Sequence, residues 1–539
     1  MKKTYIFYLF VILFLVYFTV SINYVEGDDA STILYHLIGR DSNLQEPYAK
    51  YNSGIDYLLS FIDNQEENKL KLFAFCISFF FSTIILFLFV ELFKTICLIK
   101  KEKLNYSFFI FLPLIMPEIL FNTLVINSSN ISYFFSILSL IFFLKSLNIV
   151  CFKNYINPYF FFSIICFGIA LPFRWSIVMF LPVFFCFHYF LFEHNLIKII
   201  KINFFHIALS LIVGFSFIYL TGYKLDDFFQ TIIWGKSYSE NKEISFQVIF
   251  ATGSAFLTPI VIVLLIIGVV KYIFIDKLVL KNIIFFIFPL TPFFILGFFP
   301  SYKFLFPIFP LVLFVLYTGY NYVFLSKKKI TVVFVSIGVI LIWFVGVQIS
   351  DNKYAYGNSF EFKNPNKLSQ EYISHKKNKT VDLNFDGGTF MPTLEGGRPL
   401  YGYFYVFKYQ WKKVIKAQQM VLNSIVNTLD INGDIILIQD RKTAFLQCTL
   451  FQLGYKTQMP FKSFSKEFLY RDFYKQNKII RLYAIKDNTI RTRVQIANEY
   501  LLSDKKVIFR SSYSSLIRDI YLEKNNSKNF WDIYTLTNF

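Results

Sequence analysis

Long apolar runs alternate with short charged breaks over residues 1–350 of this chain, and the alternation stops after that. The first run is TYIFYLFVILFLVYFTVSI, residues 4–22. At 1.5 Å rise per residue it extends about 28 Å, enough to cross the hydrocarbon core of a bilayer. It follows Met1-Lys2-Lys3, and no small-residue cleavage pattern comes after it, so it reads as a retained anchor and not a signal peptide. Further runs lie at about 71–98, 106–126, 131–150, 157–172, 175–192, 204–221, 247–274, 282–299, 304–325 and 330–350. The pattern predicts a polytopic α-helical membrane protein of about eleven transmembrane helices.

The charges between the runs give an orientation. The breaks LIKKEK (98–103), CFKN (151–154), KIIK (198–201), IDKLVLK (275–281) and SKKK (326–329) are basic. Basic loops stay in the cytoplasm. The intervening segments then face outward, beginning with the acidic first loop, 23–70, and including KLDD at 224–227. An odd number of spans also places residues 351–539 outside. This tail is polar. DIILIQD (434–440) and KIIRLYAIK (478–486) read as buried strands and 411–429 as a helix. Strands and helices in alternation predict a C-terminal α/β extracytoplasmic domain. The domain plan is therefore 1–350 in the membrane and 351–539 outside it.

Composition agrees with lipid as the main solvent. Of 539 residues, 55% are hydrophobic and 21% aromatic, and the mean hydropathy is +0.49. The net charge of +19 reflects the cytoplasmic breaks, and no nucleic-acid module or basic-aromatic stripe accompanies it. Six cysteines form no C-x-x-C pair, and five histidines are scattered, so the residues suggest neither a disulfide framework nor a zinc site.

Several polar features fall on the face assigned outside. Asp28 and Asp29 follow the first span in the stretch NYVEGDDASTILYHLI. Glu118 sits within an apolar run, where an ionisable group is costly and faces a cavity or partner, and Asn127-Ser128-Ser129-Asn130 follows it. Asp226, Asp227 and Lys236 lie after the seventh span, and Tyr302-Lys303 in the turn between the ninth and tenth. Arg174 lies in LPFRWS, between the fifth and sixth. Each has an ordinary alternative: a solvated loop for the aspartates, a capped bundle-facing position for Glu118, and snorkelling to headgroups for Arg174 and Lys303. Together they gather carboxylates and cations on one membrane face. A carboxylate there can act as general base toward an acceptor hydroxyl. Arginine and lysine can hold a phosphate leaving group and stabilise its developing charge.

With the acidic pair in GDDASTILYHL and the segment GIALPFRWSIVMFLP (168–182), the chain resembles the C-type (GT-C) multi-spanning glycosyltransferases over residues 1–350. The branch it is most similar to is the lipid-linked mannosyltransferases. LDDFFQTIIWGK (225–236) echoes their D-x-x-x-Y-G-K piece, and YKFLFPIFP (302–310) the second half of their H-K-E-x-R-F-x-x-P-x-x-P motif, with Lys303 in the Arg position. The His-Lys-Glu half is replaced by Phe299, Pro300 and Ser301, and LIMPE (114–118) lacks the Arg of the R-T-L-P-N element.

The resemblance implies an integral membrane glycosyltransferase that uses a polyprenyl-phosphate sugar donor and a glycan, glycolipid or protein acceptor at the outer face of the plasma (inner) membrane. It implies Asp28 as general base with Asp29 beside it. Arg174, Lys303 and Tyr302 would bind the donor phosphate, and Glu118, Asp226, Asp227 and Lys236 would line the acceptor side. No cofactor is required, no metal ligand cluster is seen and a divalent metal is permitted; the partners are the lipid donor, the acceptor and membrane lipid, not nucleic acid. Two rivals stay open at this stage: a polysaccharide polymerase or ligase using a polyprenyl-diphosphate donor, and a non-enzymatic lipid-sugar transporter.

Overall fold

The computed structural model describes residues 4–13, 54, 57–58, 67–116, 119, 129–149, 157–192, 195–220, 258–272 and 306–344, and ten short strands beyond. The helices are α1 (Thr4–Leu13), α2 (Glu67–Ile99), α3 (Tyr106–Ile115), α4 (Ser129–Ile149), α5 (Pro158–Phe173), α6 (Leu181–Leu191), α7 (Leu196–Leu220), α8 (Pro259–Val270) and α9 (Phe309–Phe344). A 3-10 segment, Trp175–Phe180, joins α5 to α6, and a 3-10 turn, Phe306–Ile308, leads into α9. Among the described residues, three helices are long and apolar enough to cross a membrane: Phe79–Ile99 within α2, Ser129–Asn148 within α4, and α7. Helices are the form in which each backbone polar group finds its partner inside the same segment, which lipid demands.

Asn105 starts α3 by accepting from the Ser107 amide at 3.2 Å, and Asn157 starts α5 by accepting from Phe160 at 3.0 Å. Both are side-chain N-caps that satisfy amides the helix itself leaves open. α4 is central, with 67% of its spanning window buried, and α7 is peripheral, with 28%. α4 turns a serine row inward: Ser129, Ser132, Ser136, Ser139 and Ser146 are all buried. Small hydroxyl residues let helix backbones approach and lend hydrogen bonds where no water competes. Ser132 donates to the Ala170 carbonyl at 2.9 Å, and Ser139 and Ser163 donate to each other's carbonyls at 2.7 and 2.8 Å. These bonds lock α4 antiparallel to α5.

α5 in turn packs against α7 through Gly168 and Gly214. A Cβ on Gly168 would lie 2.5 Å from Val213 Cγ1, and one on Gly214 would meet Leu171. α7 carries three of its polar residues on the covered side. Asn203, His206 and Ser210 are buried with Ile199, Gly214 and Ile218, while Ile197, Ile200, Phe204, Ile212, Tyr219 and Leu220 are exposed.

In α9, Lys327 departs from helical geometry (φ −146°, ψ 60°) and divides the helix in two. This is the position of the basic break SKKK, where the sequence separates two spans. After the kink only a narrow stripe, Thr331, Val335, Gly338 and Ile342, is covered, and Val333, Ile337, Ile340 and Leu341 are exposed.

The sequence placed KIIK (198–201) in a loop, but these residues form the first turns of α7. Ile199 is buried and Lys201 exposed, so the helix runs through while Lys201 reaches away from the bundle. The run 175–192 opens as a 3-10 segment before becoming α6. The run 282–299 and most of 247–258 lie outside the described residues.

The chain separates into two compact units, one holding the helical bundle and the other the strands. In the second, β1 (Gly346–Ser350) pairs antiparallel with β2 (Ser359–Lys363) and with β3 (Gly397–Pro399). A five-stranded sheet runs β5-β4-β6-β10-β9, formed by β4 (Ile435–Ile438), β5 (Lys456–Gln458), β6 (Ile480–Ile485), β9 (Leu522–Asn525) and β10 (Trp531–Leu536). β4 is parallel to β5 and β6, and β10 is antiparallel to β6 and β9. β7 (Tyr500–Leu502) and β8 (Lys505–Val507) form a separate antiparallel pair. The stretches read as strands from sequence, 434–440 and 478–486, contain β4 and β6; the helix read at 411–429 lies outside the described residues.

Candidate functional site

Two ends of the helical bundle are defined by contacts between distant parts of the chain. At one end, Thr4 Oγ1 donates to the Tyr106 carbonyl at 3.4 Å, and the Asn105 amide donates to the Tyr317 hydroxyl at 2.8 Å. Asn105 Nδ2 donates to Asn321 at 2.9 Å, and the Ser107 and Tyr320 hydroxyls are hydrogen-bonded at 3.0 Å. The start of α1, the end of α2, the start of α3 and residues 317–321 of α9 therefore meet there. Nearby charges are exposed or partly so, and pair locally: Lys94 with Glu91 at 3.2 Å and Lys100 with Glu102 at 2.8 Å. Such surface pairs contribute little stability.

The other end is where Arg174 lies. It is the C-cap of α5, its amide donating to Ala170 O at 3.3 Å, and its extended backbone (φ −162°, ψ 110°) turns the chain into the 3-10 segment. The side chain is only 4% exposed. Nη1 donates to Ser129 Oγ at the start of α4. Asn130, beside Ser129, is fully buried. A guanidinium keeps its charge under any ordinary condition, so this end of the bundle holds a fixed, enclosed positive charge.

Two further segments reach the same place. The 3-10 segment after Arg174 packs against Phe306–Ile308, which starts three residues beyond Lys303. Gly54, from the stretch predicted as the first outer loop, lies on Phe173: a Cβ there would sit 2.7 Å from the ring. Phe173 in turn stacks on Phe135 of α4, with ring centroids 6.4 Å apart. A little along the bundle, Thr258 Oγ1, just before α8, donates at 2.7 Å to the carbonyl of Ile115, three residues before Glu118.

Of the residues the sequence singled out, Arg174 is thus placed, buried and held. Asp28, Asp29, Glu118, Asp226, Asp227, Lys236, Tyr302 and Lys303 lie outside the described residues. Two described segments reach the Arg174 end of the bundle: Gly54, from the stretch predicted as the first loop, and Phe306–Ile308, which follows Lys303. The partner of Arg174, Ser129, was visible in sequence only as part of a polar tetrad. What marks it is its place at the start of a serine row with spacing three and four along α4.

No family model matches the chain, and no curated protein or solved structure matches it.

Proposed function

We propose that this chain is an integral membrane glycosyltransferase that moves a sugar from a polyprenyl-phosphate donor to a glycan, glycolipid or protein acceptor on the extracytoplasmic face of the plasma (inner) membrane. The observation that carries the reading is the buried Arg174, fixed by Ser129 at the bundle end where the segment beside Lys303 and a residue of the first loop also arrive. A lipid phosphate presents its charge at headgroup level, and a held guanidinium there is a fitting partner.

In this reading about eleven spans place Asp28 and Arg174 at the same face. The Asp28 carboxylate accepts the proton of the acceptor hydroxyl. The hydroxyl oxygen then forms the new bond to the anomeric carbon, with inversion. The bond from that carbon to the lipid phosphate oxygen breaks, and the phosphate leaves with the electron pair. Arg174 and Lys303 hold that phosphate and Tyr302 donates to it, while Asp29, Glu118, Asp226, Asp227 and Lys236 orient the acceptor. Stabilising charge as it develops is where an enzyme gains most. No nucleotide takes part, in keeping with the lack of a phosphate-cradling glycine loop in the sequence.

The test is a donor screen. Purified protein in lipid nanodiscs is given a panel of polyprenyl-phosphate sugars, and release of the free lipid monophosphate is measured. Release from one donor supports the reading. Turnover only of polyprenyl-diphosphate donors, or no turnover with any donor and acceptor pair, overturns it.

A further inference from the structure

A second polar cluster lies inside the bundle, away from Arg174 and unused by the proposed reaction. His206, at the eleventh position of α7, is fully buried among the rings of Phe143, Phe160 and Phe184, with centroids 5.0, 5.5 and 4.9 Å away. Its Nε2 lies 2.8 Å from Ser163 Oγ. One turn earlier, Asn203 is also fully buried and lies 3.0 Å from His188 Nδ1. Three polar atoms on this face of α7 have no hydrogen-bond partner among the described residues: Asn203 Oδ1, His206 Nδ1 and Ser210 Oγ.

The proton positions follow from the network. Ser163 donates to the Ser139 carbonyl at 2.8 Å, and Ser139 donates to the Ser163 carbonyl at 2.7 Å. We assign the single Ser163 proton to the Ser139 carbonyl, which makes His206 Nε2–H the donor in their contact. A charged imidazolium deep in a membrane bundle is costly, so the ring is neutral and Nδ1 is a bare acceptor. Asn203 Nδ2 gives one hydrogen to the Ile199 carbonyl at 2.8 Å and the other to His188 Nδ1. Flipping the amide would set its oxygen against the Ile199 carbonyl, so Oδ1 is an acceptor too. Two acceptors cannot satisfy each other, and each left bare in an apolar interior is costly.

We propose that Asn203, His206 and Ser210 form an internal site for bound water, a small neutral molecule with two hydrogens to give. One water donating to both Asn203 Oδ1 and His206 Nδ1 spans about 4.5 Å, because its two hydrogen bonds of about 2.8 Å diverge at the angle between its O–H bonds. The rise along α7 between these residues is about 4.5 Å and from His206 to Ser210 about 6 Å, so a file of two waters reaches all three atoms. Buried waters characteristically occupy such places, where otherwise unpaired polar groups converge. The site makes the α4–α5–α6–α7 packing a hydrated joint and not a dry one.

The test uses the full chain in lipid nanodiscs with nitrogen-15 histidine. Changing His36, His194 and His375 to glutamine leaves only His188 and His206 to report, without touching the cluster. Ser163→Ala then identifies His206 by moving its Nε2 signal. The expected spectrum is a neutral ring protonated at Nε2, whose Nδ1 signal is shifted by a hydrogen bond and correlates with water protons. A protonated Nδ1, or an Nδ1 signal with no water correlation, overturns the proposal. As an independent arm, Ser210→Ala should lower the thermal midpoint by removing one contact of the water file. A raised midpoint would mean a dry, unpaired hydroxyl and overturns it, as does a midpoint that rises with sodium over choline chloride, which would assign the site to a cation.

Discussion

Replacing Gly168 by alanine should weaken the α5–α7 contact, and replacing Gly214 should not, although both glycines lie in the same interface. The added Cβ of Gly168→Ala would lie 2.5 Å from Val213 Cγ1, 2.7 Å from Val213 Cβ and 3.1 Å from the Gly214 amide nitrogen. Carbon atoms sit comfortably at about 3.5–4.0 Å, so the two helices must part by on the order of 1 Å. The valine cannot turn away, because β-branching leaves it one favoured rotamer in a helix. The added Cβ of Gly214→Ala meets chiefly a terminal methyl of Leu171, which can rotate, with Gly168 O and Leu171 Cβ both at 3.2 Å. Overpacking costs about 1–3 kcal/mol, and the better helix propensity of alanine returns up to about 1 kcal/mol in each case. The net expectation is a loss of about 1–2 kcal/mol for Gly168→Ala and a change near zero for Gly214→Ala. Thermal unfolding in a mild detergent, followed by the monodisperse fraction on size exclusion, reads the difference. Adding Val213→Ala to Gly168→Ala should restore much of the loss. Equal midpoints for the two single variants, or no rescue by Val213→Ala, would refute the close approach described for these helices.

Other expectations concern the proposed reaction and the membrane plan. Arg174→Ala should weaken donor use about ten- to hundred-fold, the worth of a charged hydrogen bond of roughly 1.5–3 kcal/mol, with Arg174→Lys recovering only part because it offers a point charge in place of a planar fork; unchanged donor kinetics in both would return Arg174 to a purely structural cap. Asp28→Asn should lower kcat by about 10²–10⁴-fold at normal expression, and near-normal transfer by the Asp28→Asn, Asp29→Asn double variant would sink the base assignment. Reporter fusions after Lys103, Lys201 and Lys329 should read cytoplasmic, and those after Asn64, Tyr238 and Lys367 outside; a cytoplasmic tail would undo both the span count and the placement of the site.

Much of the helical architecture is readable from hydropathy because lipid leaves one kind of solution: long apolar segments with internal hydrogen bonds. The basic break at 326–329 coincides with the kink at Lys327, since three adjacent lysines seek water and the helix yields there. KIIK misleads for a related reason. Two lysines separated by two isoleucines can all be served by one helix, with Ile199 covered and Lys201 reaching out, so a basic segment is not by itself a loop. Arg174 was recognisable from its place between two short runs, whereas its tie to Ser129 depends on two spans packing antiparallel. His206 was passed over as one of five scattered histidines. Its partner Ser163 is 43 positions away, and Ser139, which bonds Ser163, is 67 positions away, and nothing local distinguishes it from a polar interruption in an apolar run. The mixed sheet shows the same divide: the apolar stretches that contain β4 and β6 can be seen along the chain, but that β10 returns to pair with β6 cannot.

The inward-facing polar stripe of α7 also bears on how the protein is made. A helix that hides asparagine, histidine and serine while showing isoleucine and phenylalanine outward is greasy enough to enter a bilayer, yet is uncomfortable there alone. Among the described residues, the side-chain partners of its buried asparagine and histidine precede it in the chain: Ser163 on α5 and His188 on α6. Synthesis proceeds from the N-terminus, so the surfaces that receive Asn203 and His206 leave the ribosome before α7 does. The order of the sequence thereby shortens the interval in which those polar groups face lipid, and a chain whose α5 or α6 failed to insert would carry an exposed histidine into the membrane, a mark that distinguishes a misassembled copy from a finished one.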